Sequence, residues 1–162
     1  ISFDRVRIYE RTIFFEWFVL GLVVLGVWLY GAPLSAVFGE RWRSVRQLLT
    51  DIGIALVFLI ASMAVLSIFG AHTKGPDPAT QFLLPQGRFE SMLWIVLSLT
   101  AGICEEALFR GYLQRQFMAW TKSAALGIAL SAAAFGAAHA YQGLRHVVQI
   151  AVLGAMLGTL AW

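Results

Sequence analysis

Five long apolar runs, nearly free of charged residues, limit what this chain can fold into. They are residues 13–30, 52–71, 91–109, 123–138 and 146–162. A helix needs about 20 residues to cross the roughly 30 Å hydrocarbon core of a bilayer, and each run meets or approaches that length. None alternates strictly between apolar and polar residues, as a barrel strand does. The runs therefore predict an all-α, polytopic transmembrane helical bundle with about five spans.

The composition excludes several classes of soluble protein. Apolar residues make up 59% of the chain and charged residues 13%, against about 45–50% and 25% in an ordinary soluble domain. This argues against disorder, a coiled coil and a nucleic-acid-binding domain. The net charge of +3 is the difference between 12 Lys and Arg and nine Asp and Glu. The ten Arg and two Lys are scattered between the apolar runs, which is typical of membrane flanks. We expect membrane lipid as a partner and no nucleic acid.

Two connecting segments separate the apolar runs. Residues 34–50 interleave Arg41, Arg43 and Arg46 with apolar residues, which favours a short basic amphipathic helix at the headgroups. A loop with partial helix is the alternative. Residues 72–90 are rich in Pro and Gly, which is typical of an extended connection. We therefore divide the chain into N-terminal membrane helices with a long polar loop, residues 1–90, and a C-terminal core, residues 91–162.

The third apolar run ends in an unusual group of charges. Within AGICEEALFRGYLQRQF, the sequence has Glu105, Glu106 and Arg110. An ion in the middle of a bilayer costs about 2.5–3.5 kcal/mol, so these groups must face one another, a polar cavity or the interface. Glu106 and Arg110 lie four residues apart and can pair on one helix face. Glu105 is rotated by about 100° and is free to act as a general base. An interfacial charge cluster reaching the headgroups is the alternative.

The fourth run carries an aromatic residue and a histidine on one face. Phe135 and His139 are four residues apart, at the end of the helix that follows the two glutamates. A lone histidine there is often a packing residue. Neighbouring helices joined by a short turn pack antiparallel, however, so Glu105 and His139 can converge at a similar depth. His146 is interpreted as an interfacial residue that opens the last helix, and His72 has no partner motif.

The motifs EEALFR, FGAAHAYQG and VLGAMLG together resemble those of the CPBP intramembrane proteases. That family includes the Ras-converting type of CAAX prenyl endopeptidase and the bacterial Abi proteins. The resemblance covers residues 91–162. It implies a multi-pass protease of the bacterial plasma membrane that hydrolyses membrane-associated protein or peptide substrates, prenylated CAAX-type proteins among them.

The resemblance also implies roles for individual residues. Glu105 and Glu106 would be catalytic, Arg110 their positioning partner and His139 the first catalytic histidine, with Phe135 structural. A glutamate would activate water, while the histidine orients it or stabilises the oxyanion. The family pattern ends with a further helix bearing a His and often an Asn, which these residues do not include. The chain is therefore expected to be C-terminally truncated and inactive by itself.

Metal use stays open at this point. Family naming often says metalloprotease, and a catalytic zinc has three protein ligands plus water. If Zn²⁺ is used, Glu105, Glu106 and His139 are the candidate ligands. The HExxH signature is absent, and a metal-free glutamate–histidine mechanism fits these residues equally well.

Other hypotheses have weaker support. The chain can instead be a non-catalytic membrane immunity or scaffold protein that keeps the polar pocket for binding. A proton-coupled transporter fits less well, because there is no internal inverted repeat. Cys104 is interpreted as a small buried hydrophobe, and no serine-nucleophile motif surrounds Ser131. The GxxxG spacing of Gly154 and Gly158 favours helix packing inside the monomer over dimerisation.

Overall fold

The computed structural model describes residues 4–70 and 81–162, and every regular element in them is a helix. The all-α class is therefore confirmed. The elements in chain order are α1 (Arg5–Leu29), α2 (Ser35–Phe38), α3 (Val45–Gly70), α4 (Gly87–Glu105), a π-helix (Glu106–Leu113), α5 (Gln114–Thr121), α6 (Ala124–Ala138), a 3₁₀ helix (Ala140–Gln142) and α7 (Leu144–Leu160).

In the part of the chain that the structure describes, three helices are long and apolar enough to cross a membrane. They are Arg5–Leu29, Val45–Ile68 and the continuous helix Gly87–Thr121. The two remaining predicted spans correspond to α6 and α7, whose 15 and 17 residues are shorter than the roughly 20 that a perpendicular span needs. Within the described residues, each of the five apolar runs is thus mainly helical, and three of the helices reach full span length.

The helix Gly87–Thr121 extends beyond the predicted run 91–109 in both directions. Its middle, Glu106–Leu113, is a π-helix, in which backbone hydrogen bonds join residues five apart. Such segments are rare, and many of them lie at functional sites. The π-helix contains both Glu106 and Arg110, so the charged motif lies on backbone that departs from ordinary α geometry.

Helices α6 and α7 pack closely because glycines line their contact. A Cβ on Gly136 would lie 2.5 Å from the Val147 carbonyl oxygen, and one on Gly154 would lie 3.2 Å from the Ala132 Cα. Later residues of α7 contact earlier residues of α6, so the two helices are antiparallel. The glycines of the GxxxG pair are buried against the same chain, as the sequence predicted.

Helix α1 packs along α4, although the long loop separates the two in the sequence. At one end of this contact Arg5 Nε donates to Glu90 at 2.9 Å, and the Tyr9 hydroxyl donates to the Leu83 carbonyl at 2.8 Å. Helix α3 contacts α7 instead. The first helix therefore packs on the C-terminal core, while the boundary between residues 1–90 and 91–162 stays a prediction.

The amphipathic helix predicted over residues 34–50 is wrong as a continuous element. Only Ser35–Phe38 is helical before α3 begins at Val45. The interruption has a local cause, since Gly39 has a φ of 76°, a conformation that favours glycine. The alternative expectation, a loop with partial helix, fits this segment. His72 and the glycine and prolines around it lie outside the described residues, whereas 83–86 are non-helical.

Candidate active site

A cavity of about 270 Å³ lies where α1, α4, the π-helix and the end of α6 meet. Its walls are mostly apolar, with carboxyl, imidazole, hydroxyl and thiol groups among them. The lining residues are Thr12, Phe15, Glu16, Val19, Cys104, Glu105, Leu108, Phe109, Ala138, His139 and Tyr141. Tyr141 also borders a larger apolar groove of about 550 Å³.

Glu105 and His139 face each other in this cavity. Oε1 of Glu105 lies 3.6 Å from Nε2 of His139, and both side chains are largely buried. Glu105 is the last residue of α4, and His139 caps the C-terminal end of α6. The two side chains therefore lie close together, as expected for consecutive antiparallel helices.

A backbone hydrogen bond sets the orientation of the His139 ring. Nδ1 lies 2.9 Å from the Phe135 carbonyl oxygen. A carbonyl oxygen only accepts hydrogen bonds, so Nδ1 must carry the proton and donate it. In the neutral ring, Nε2 then holds a lone pair directed at Glu105. The pair therefore offers two acceptors to a small donor such as water.

Glu106 and Arg110 form a second, separate pair. Nη1 of Arg110 lies 3.1 Å from Oε1 of Glu106, with the arginine side chain 4% exposed and the glutamate 44% exposed. Both line a different hollow, beside α2. The predicted site residues thus form two pairs on adjacent faces, one at the cavity and one behind it.

Phe135 lies between these two pairs. The Arg110 guanidinium carbon lies 4.4 Å from the centroid of its ring, a cation–π contact. The same ring packs edge-on against His139, with centroids 5.0 Å apart. Because the Phe135 carbonyl oxygen also accepts a hydrogen bond from Nδ1 of His139, this residue connects the arginine with the histidine.

Polar side chains tie the π-helix and α5 to the last two helices. Arg110 Nη2 donates to the Gly154 carbonyl at 3.4 Å, and Gln114 Nε2 donates to the Gly158 carbonyl at 2.9 Å. The Ser131 hydroxyl donates to the Phe109 carbonyl at 2.8 Å. Ser131 is therefore a buried structural residue. Cys104 is also buried, within an apolar cluster, as the sequence predicted.

The described residues do not supply a complete zinc site. No group of three or more His, Cys, Asp and Glu side chains in residues 4–70 and 81–162 is arranged to hold a metal ion. Glu105 and His139 are close together, but Glu106 faces Arg110 in the other hollow. The three candidate ligands therefore do not converge.

Glu16 is the cavity residue that the motifs did not identify. Its Oε2 is buried and has no hydrogen-bond partner among the described residues. The sequence contains a signal, because Glu16 is the only charge in the apolar run 13–30, and such a charge is costly in a membrane. No motif linked it to Glu105, since the link depends on how α1 packs.

Comparison with known protein families matches the C-terminal part of the chain. Residues 87–162 match the family model described as type II CAAX prenyl endopeptidase Rce1-like. Comparisons with curated proteins and with solved structures found no match. The match covers Glu105, Glu106, Arg110 and His139.

This segment is consistent with a CPBP family protease, as its motifs predicted. The family match and the three long apolar helices together point to a membrane protein. The match does not favour the non-catalytic hypothesis.

Proposed function

We propose that the full-length protein is a multi-pass intramembrane endopeptidase of the bacterial plasma membrane. It hydrolyses peptide bonds of membrane-associated substrates, prenylated CAAX-type proteins among them. The observation that carries the proposal is the pair Glu105 and His139, 3.6 Å apart in a largely apolar cavity, within the segment that is similar to the Rce1-like family.

In the proposed mechanism the two residues hold one water molecule. The water donates one O–H to the Glu105 carboxylate and the other to Nε2 of His139, whose lone pair is directed into the cavity. Glu105 removes a proton as general base while the water oxygen bonds to the carbonyl carbon of the substrate. When the C–N bond breaks, the nitrogen keeps the electron pair and receives that proton from Glu105. The products are a carboxylic acid and an amine.

Glu106 and Arg110 have a positioning role in this proposal. The arginine contacts the Phe135 ring, and Phe135 holds Nδ1 of His139. Glu106 partners the arginine, so this second pair supports the histidine without entering the cavity.

The test measures cleavage of fluorogenic membrane peptides by full-length protein in detergent or liposomes. Removing a general base lowers turnover by about 10²–10⁴-fold, so we expect Glu105→Gln and His139→Ala to lose activity by such factors. Glu10→Gln is the matched control, because Glu10 is an exposed carboxylate on α1. Undiminished cleavage by folded Glu105→Gln protein would reject the mechanism.

The substrate class is tested separately. Matched peptides with and without a prenyl group on the cysteine are compared at equal concentration. We expect the prenylated peptide to be cleaved with the higher kcat/KM. Equal values would restrict the proposal to membrane-associated peptides in general.

A further inference from the structure

We propose that Glu16 of α1 positions the substrate by accepting a hydrogen bond from a backbone amide N–H of the bound peptide. This inference rests on the proposed function, because it assigns a substrate contact to the same cavity. It adds a residue from outside the segment that matches the family model, which begins at residue 87.

The state of the Glu16 side chain supports this role. Oε2 is buried, and no donor among the described residues reaches it. A buried acceptor without a partner is unfavourable, and most such groups in native proteins are satisfied. A molecule that enters the cavity can supply the missing donor.

Glu16 is also suitably placed relative to the catalytic pair. It lines the same cavity as Glu105 and His139, but from α1, so the three groups come from three different helices. A peptide whose scissile bond lies at Glu105 and His139 passes α1 with neighbouring residues. Each of those residues, except proline, presents one N–H donor.

The other residues of this cavity wall also suit a bound peptide. Phe15 and Leu108 line the cavity with apolar surface that suits apolar substrate side chains, whereas a peptide backbone requires polar partners. Thr12, one turn before Glu16, also faces the cavity. Helix α1 thus offers acceptors for main-chain groups, which a protease needs whatever the side chains of its substrate.

The experiment compares Glu16→Leu, Glu16→Gln and the exposed control Glu10→Leu in the full-length protein. KM and kcat are measured with a fluorogenic membrane peptide. One lost hydrogen bond corresponds to up to about tenfold in affinity, so Glu16→Leu is expected to raise KM about tenfold and to change kcat little. Glu16→Gln keeps a carbonyl oxygen and is expected to stay near wild type, as is Glu10→Leu.

Substrate analogues test the same contact without altering the fold. Peptides are N-methylated at one backbone position at a time around the scissile bond. At one position, methylation is expected to raise KM for wild-type protein by a similar factor and to have no further effect in Glu16→Leu, because the contact is already lost. If Glu16→Leu does not fold, Glu16→Met takes its place in both comparisons.

Three results overturn the inference alone, with cleavage intact in wild type. They are an unchanged KM in folded Glu16→Leu, a loss of kcat in Glu16→Gln, and additive effects of methylation and Glu16→Leu at every position. Folded wild-type protein that cleaves no peptide would overturn the proposed function, and this inference with it.

Discussion

The contacts of the Ser131 hydroxyl are those of a structural group and not of a nucleophile. Its Oγ donates to the Phe109 carbonyl and is buried. We expect Ser131→Ala to lower the free energy of unfolding by about 1 kcal/mol and to leave peptide cleavage per folded molecule unchanged. Ser98→Ala is the control, since Ser98 is exposed and bonds only within its own helix. Abolished cleavage in folded Ser131→Ala would point to serine chemistry.

The pair of Glu106 and Arg110 is expected to matter for stability because the arginine is almost fully buried. Glu106→Gln leaves that cation without its carboxylate. Since Glu106 is 44% exposed, the cost is expected to lie below that of a fully buried pair, at about 1–2 kcal/mol. Glu40→Gln breaks the exposed pair with Arg43 and should change the melting temperature little. Equal melting temperatures for wild type and both variants would contradict this.

The sequence predicted that Glu105 and His139 lie close together because they belong to consecutive helices, where a short turn limits the possible arrangements. It also predicted the local pair of Glu106 and Arg110. Glu16 was not predicted as a site residue, because it lies 89 positions before Glu105 and its neighbours depend on the packing of α1. Motifs that are local in sequence cannot contain such a contact.

Gly136 controls how closely α6 and α7 approach. A Cβ at this position would meet the Val147 carbonyl oxygen and the Ala151 Cβ. We expect Gly136→Ala to lower the free energy of unfolding by about 1–3 kcal/mol, as overpacking does. The control is Gly102→Ala on α4, where a Cβ meets nothing within 4 Å and the change should stabilise slightly. Thermal unfolding in detergent measures both, and similar shifts would refute the packing argument.

Helical content was predictable because apolar runs of this length have few other structures in a membrane. The π-helix was not, since arguments from sequence spacing assume 3.6 residues per turn. Its backbone has tertiary partners: the Phe109 carbonyl accepts from Ser131, and α2 packs against Gly111. Contacts of this kind, made by distant residues, have no local signal.

The length of α3 predicts that the chain crosses the membrane once between Glu40 and Gln86. Helix α3 is the only described helix of span length between Glu40 and Gln86. Reporter domains fused after these two residues are therefore expected on opposite sides of the membrane. A reporter that is active on one side only, tested at both positions, measures this. Activity at both fusion points would show that α3 does not cross.

For the molecule as a whole, the sequence predicted a helical membrane protein but did not predict which helices pack against each other. The long loop suggested a division at residue 90, yet α1 packs on α4 and supplies part of the cavity wall. The ion pair of Arg5 and Glu90 joins positions 85 residues apart. Such pairings follow from the complete bundle and have no signature in either half alone.

Because His139 lies at the end of α6, its direction depends on the number of residues in this helix, which limits how the helix can evolve. Adding or deleting one residue in α6 would rotate the histidine by about 100° around the helix axis and direct it away from Glu105. Exchanges among small residues preserve that orientation. Related proteins should therefore vary in the composition of this helix while keeping its length constant.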